Sequence, residues 1–300
     1  MAVYKRHYKR YDGALTAERW RFTVLPRYSF QTVFESKLFT SYFTICLIPH
    51  LVAMVLIYLR QSIAALNSLN LQPLQYLAVD GNFFLTLFTV ESFMSFFIVA
   101  LVGPGLVAPD LANNALPLYL SRPFSRAEYV MGRLGVLLAL TSLVTWVPGL
   151  LVIGVQVNMV GFSWLWDNAR LPIGIVFASW IWILTISLMA LAISAWVKLR
   201  PIATASLSGV FFALAAFGEA ANGLLQLSPR WGSLMNLQST MSMIWRWSLL
   251  KEADGTTLGA GLGRLGTLPI WAGFATMFVF CGLALLMLSK KIRAAEVVRG

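Results

Sequence analysis

Six stretches of this chain, 38–59, 82–107, 136–155, 171–197, 202–218 and 265–289, contain no lysine, arginine or aspartate, and Glu91 is the only glutamate within them. A helix needs about 20 mainly apolar residues to cross the hydrocarbon core of a bilayer, and about 17 is near the lower limit. No soluble fold of 300 residues needs six such runs. The fold expected is therefore an all-α integral membrane protein with six transmembrane helices. Composition agrees: charged residues make up 12%, against about 25% in soluble domains.

A net charge of +11 would by itself suggest a nucleic-acid ligand, so its distribution decides. Residues 1–37, 109–135, 198–201 and 290–300 hold 17 of the 23 lysines and arginines, and the alternating segments hold 6. Positive charge collects on the cytoplasmic side of membrane proteins. The expectation is a multi-pass protein of the cell inner (plasma) membrane with both termini in the cytoplasm, surrounded by lipid and binding no nucleic acid. The first 36 residues are basic and polar, without a signal-peptide core, so the first span is expected to serve as its own insertion signal. Cys46 and Cys281 fall inside apolar runs, without metal-ligand spacing.

The chain divides accordingly. Residues 1–36 form an N-terminal cytoplasmic segment. From Thr16 it mixes aromatics (Trp20, Phe22, Tyr28, Phe30, Phe34) with Arg19, Arg21, Arg27 and Lys37, the pattern of an amphipathic helix lying in the interface. Pro26 is expected to break that helix in two. The six-helix domain covers 37–289, with spans at about 38–59, 82–107, 134–155, 171–197, 202–219 and 267–289. A tail, 290–300, is expected to be cytoplasmic. Between the fifth and sixth spans, residues 220–266 carry Trp231, Met235, Met241, Met243, Ile244, Trp245 and Trp247. That is too apolar for a linker, and short re-entrant helices entering the outer leaflet are expected there.

The segment between spans two and three, 109–133, reads as a structured cytoplasmic knuckle. Asp110 is suited to cap a short helix that Pro117 or Pro123 would limit. Ser125 with Glu128 three residues later fits a capping box. Turning the chain needs only two or three residues, so a loop this elaborate suggests something that grips it.

The run Leu120-Ser-Arg-Pro-Phe-Ser-Arg-Ala-Glu-Tyr129, followed by Gly132-Arg133, resembles the segment between spans two and three of ABC-2 type transporter permeases. Arg10–Gly13 ahead of the interfacial helix and Ile292–Val298 near the C-terminus are similar to that family as well. The resemblance implies one membrane subunit of an ATP-binding cassette exporter. It would form half of the pathway and pair with a second permease chain, identical or different. It also implies that Asp110, Asn113, Leu116, Tyr119, Arg122 and Arg126 couple to a separate ATP-binding subunit, which would hold ATP and Mg. No GxxxxGK[ST] loop occurs in this chain, so no cofactor is expected on it and it is not expected to be an enzyme.

The two histidines, His7 and His50, cannot assemble a catalytic or metal centre. Glu91 is the one acid at membrane depth, where an ionisable residue marks a pathway or a polar seam between helices. Glu219, at the end of span five, suits a boundary residue or an outer gate. His50, beside Pro49, reads as a hydrogen-bonded structural residue and joins the other two as a pathway candidate. The alternative to transport is a non-transporting membrane anchor or signal-transmitting subunit whose knuckle docks a cytoplasmic protein.

Overall fold

The structure is a computed structural model that describes residues 24–62, 77–113, 126–197, 199–227, 229–250 and 268–297. Among these every regular element is helical. They are α1 (Val24–Phe34), α2 (Lys37–Gln61), α3 (Gly81–Ala112), α4 (Arg126–Ser142), α5 (Trp146–Val160), α6 (Phe162–Asp167), α7 (Arg170–Trp196), α8 (Arg200–Leu224), a 3-10 turn (Trp231–Met235), α9 (Leu237–Leu249) and α10 (Ile270–Val297). Six helical stretches are long and apolar enough to cross a membrane: α2, α3, α4 with α5, α7, α8 and α10. This is a multi-pass membrane protein.

Burial sorts the spans into two classes. In its most apolar window α7 is 72% buried and α3 61%, whereas α2, α8 and α10 are each 22% buried. The central helix α7 packs against α3, α4, α5, α8, α9 and α10. The outer helices are apolar all round. On α2, Phe39, Cys46, His50, Ala53 and Ile57 form the inward stripe, yet Leu38, Ile45, Leu51, Val52 and Val55 on the other side are also exposed. A helix apolar on every face is stable where its outer surface meets lipid rather than water.

Six crossings in alternating directions put α1, the end of α3, the start of α4 and the α7–α8 turn at one end of the bundle. The start of α3, the α5–α7 connection and α9 lie at the other. Asp80 opens α3 by accepting from the backbone N–H groups of Asn82 and Phe83, at 3.0 and 3.1 Å.

One expectation changes here. Asp110 does not cap a new helix, because α3 runs on through Pro104 and Pro109 to Ala112. A proline inside a helix leaves a carbonyl without its donor, and neighbouring hydroxyls compensate. Thr204 donates to the Ala100 carbonyl at 3.1 Å. Ser194, buried on α7, accepts from the Ala108 N–H at 3.0 Å and donates to the Pro104 carbonyl at 3.2 Å, tying α7 to α3 between the two prolines. Pro26 lies within α1, which is described from Val24 on, and residues 16–23 of the stretch it is expected to divide lie outside the described residues.

The third apolar run is two helices. Pro148 has no N–H for the Val144 carbonyl, and the break at residues 143–145 places it instead in the first turn of α5. Beyond α5, Gly161 takes φ +109°, a conformation nearly closed to residues with a Cβ, and turns the chain into α6.

The short helix α9 enters and leaves the bundle at the same end. Its last residue, Leu249, lies against Gly81 at the start of α3. Near its first turn, Gln238 reaches the Ser92 hydroxyl at 2.6 Å. Gly81 to Ser92 is about 16 Å of helix at ~1.5 Å per residue, so α9 runs antiparallel to α3 with its N-terminus deep in the bundle. Glycines make the room. A Cβ on Gly174 of α7 would stand 2.7 Å from the Ser248 carbonyl oxygen. Arg170 closes the far end, donating from Nε to the Ser248 carbonyl at 3.0 Å and from Nη2 to that of Trp247. Cationic donors at a helix C-terminus satisfy free carbonyls and complement the helix dipole.

Candidate functional site

Polar chemistry gathers at two places, the end of α3 and the middle of the bundle. At the first, Asp110 Oδ2 accepts from the Tyr129 hydroxyl at 2.7 Å and from Arg133 Nη2. Arg133 Nη1 donates to the Ser29 hydroxyl at 2.8 Å, and the guanidinium carbon lies 5.6 Å from the centre of the Tyr129 ring. The knot therefore ties α1, α3 and α4 together, with the Asp110 and Arg133 side chains only 14% and 11% exposed. Removing one partner of such a buried pair leaves the other charge uncompensated, at a cost of about 3–5 kcal/mol. Asp110 and Arg133 stand on the helices that flank residues 114–125, so they tie the end of α3 to the start of α4.

At the second place, α2 and α3 bring His50 and Glu91 together. Nδ1 of His50 lies 3.0 Å from Oε1 of Glu91, and both side chains are fully buried. The approach is close but poorly directed: neither ring nitrogen nor either carboxylate oxygen has an aligned hydrogen-bond partner. We read the pair as a short-range electrostatic contact rather than a directed hydrogen bond, since the distance is good and the angle is not. Phe88, one turn from Glu91, presents its ring edge-on to His50 and to Trp245 of α9, with centroids 6.3 and 5.0 Å away. A line of hydrogen bonds continues beside it. The Trp182 indole donates to Ser95 at 2.9 Å, the Ser95 hydroxyl to the Ser92 carbonyl at 3.0 Å, and Gln238 to the Ser92 hydroxyl. Helices α2, α3, α7 and α9 thus meet around one buried polar seam.

Of the six residues expected to couple to a partner, Asp110 is in the knot and Asn113 is exposed just beyond α3. Leu116, Tyr119 and Arg122 lie outside the described residues, as does Ser125; Arg126 opens α4, and only its backbone is described. Residues 1–23, 251–267 and 298–300 also lie outside them. Glu219 joins neither group: it is half exposed and pairs with Arg230 at 2.6 Å, pinning the 3-10 turn to α8. Among the described residues no cluster could hold a metal.

Sequence reasoning missed Arg133, Ser29, Ser92 and Gln238 as site residues. Arg133 had a signal. It stands two turns into an apolar helix and needs an acid, and Asp110 is the only acid between Glu91 and Glu128. Gln238 had none, because its partner is 146 residues away. The sequence matches no protein-family model, and no curated protein matches it.

Proposed function

We propose that this chain is the membrane-spanning permease subunit of an ABC-2 type exporter, driven by a separate ATP-binding subunit and forming half of the pathway with a second permease chain. The observation that carries this reading is the Asp110–Arg133 clamp between the helices that flank residues 114–125. A load applied to that segment would pass through Asp110 and Arg133 into α1, α3 and α4 together. Helix α3 also carries Glu91 and Ser92, so its displacement would be felt by His50 on α2 and by Gln238 on α9. Rigid-body movement of packed helices is a recognised way to open a path. The resemblance of Leu120–Tyr129 to the family's coupling segment supplies the identity of the partner; ATP and Mg would be held there and not by this chain.

In this reading the clamp end faces the cytoplasm, α1 rests in the inner-membrane interface, and α9 is a re-entrant helix of the outer side. The test is purification of the tagged chain in mild detergent, with mass spectrometry of what accompanies it. We expect a stoichiometric ATPase subunit that is lost on Arg126→Glu, and hydrolysis stimulated by cargo in the reconstituted complex. An accompanying ATPase indifferent to every solute and lipid, or none at all, would favour the anchor alternative.

A further inference from the structure

A cavity of about 480 Å³ opens between α1, the start of α2 and the second half of α3, within the range of small-molecule sites. Its walls are of two kinds. Arg133, Arg200, Ser29, Thr32 and Ser36 give a polar side, and Phe39, Leu101, Val102 and Leu106 give an apolar one. Arg133 is nine-tenths buried, yet its Nε–H has no protein acceptor. Arg200 is exposed and donates from Nη2 to the Leu101 carbonyl at 3.1 Å, and no carboxylate among the described residues pairs with it. It lies flat across α3 at Gly105, where a Cβ would stand 3.2 Å from its Nε. Asp110 balances one guanidinium, and no acid among the described residues balances the other. The N-terminus of α2, at Ser36, adds the positive end of a 25-residue helix.

We infer that this cavity binds an amphiphile with a phosphate head, the phosphate held by Arg200 beside the guanidinium of Arg133 and the chain laid along the apolar wall. Guanidinium groups suit phosphate because their planar donors match its oxygens. A soluble phosphate would use only half of the lining. Leu38 at the rim is about two-thirds exposed and starts the outward apolar row of α2, which gives an acyl chain a continuous route to the surrounding lipid. The site makes no use of ATP or of any movement, so it stands whether or not the chain is a transporter.

The test is native mass spectrometry of the full-length protein in mild detergent, titrated separately with dioleoyl phosphatidic acid, dioleoylglycerol and glycerol phosphate. Phosphatidic acid is expected to bind at least about tenfold more tightly than either of the others. Arg200→Gln should weaken it by about tenfold, the scale of one lost charge-assisted contact. Arg60→Gln, at the opposite end of α2, should leave it unchanged. Arg200 is exposed, so its loss should leave the melting temperature in detergent unaltered, and Arg200→Lys should recover part of the affinity. Equal binding of dioleoylglycerol would overturn the phosphate contact, and equal binding of glycerol phosphate would overturn the amphiphile. An effect shared by Arg200→Gln and Arg60→Gln would reduce the binding to diffuse surface charge and overturn the site.

Discussion

Asp110 and Arg133 show how a single charge inside an apolar helix is tolerated. Arg133 would be costly on α4 if Asp110 and Ser29 did not accept from its guanidinium, with the Tyr129 ring beside it. Such pairs are poor net stabilisers compared with well-packed apolar side chains, yet breaking one is expensive. Asp110→Leu should therefore lower stability by about 3 kcal/mol or more, and so should Arg133→Met. The double variant should recover more than half of that loss, which a double-mutant cycle of thermal unfolding in detergent would measure. If the two losses simply add, the pair is not the contact that matters. In the proposed function, coupling to the ATP-binding subunit should stay impaired in the double variant even where stability returns, because the ionic clamp would be gone.

Among the helices, continuity is decided by neighbours rather than by the local sequence. Helix α3 passes through Pro104 and Pro109 with help from its neighbours: Thr204 donates to the Ala100 carbonyl that Pro104 leaves free, and Ser194 bonds the Ala108 N–H and the Pro104 carbonyl. The apolar run 134–155 looks uninterrupted and is nonetheless broken before Pro148. The position of α9 rests on close backbone approach at Gly174. A Val side chain there would meet the Ser248 carbonyl, so Gly174→Val should cost roughly 1–3 kcal/mol as an overpacking change. It should also expose a cysteine placed at Ser248, now buried, to a thiol reagent. Unchanged protection of that cysteine would mean α9 is held by its other contacts alone.

For the molecule as a whole, the asymmetry of 17 basic residues against 6 predicts an orientation with both termini in the cytoplasm. With Cys46 and Cys281 replaced by alanine, a cysteine at Asn168 should react with a membrane-impermeant maleimide in intact cells. One at Leu199 should react only after permeabilisation. The reverse pattern would invert the topology and put the Asp110 clamp out of reach of a cytoplasmic partner. The outer helices α2, α8 and α10, apolar on every face, leave lipid or a second copy of the chain as the neighbours that suit them.

The primary structure alone determined that the chain carries six stretches long and apolar enough to cross a membrane, because the cost of placing charge in hydrocarbon is local and can be read residue by residue. It also singled out Glu91, His50 and Asp110, since an ionisable group or a kinked turn in an apolar setting stands out without any partner being known. Only the tertiary structure decided what those groups touch. The pairings of Asp110 with Arg133, Glu91 with His50 and Ser92 with Gln238 join helices separated by the loops between them. Hydrogen bonds and ion pairs depend on distances of a few ångströms, and those distances are set by how six helices pack, which no local pattern encodes.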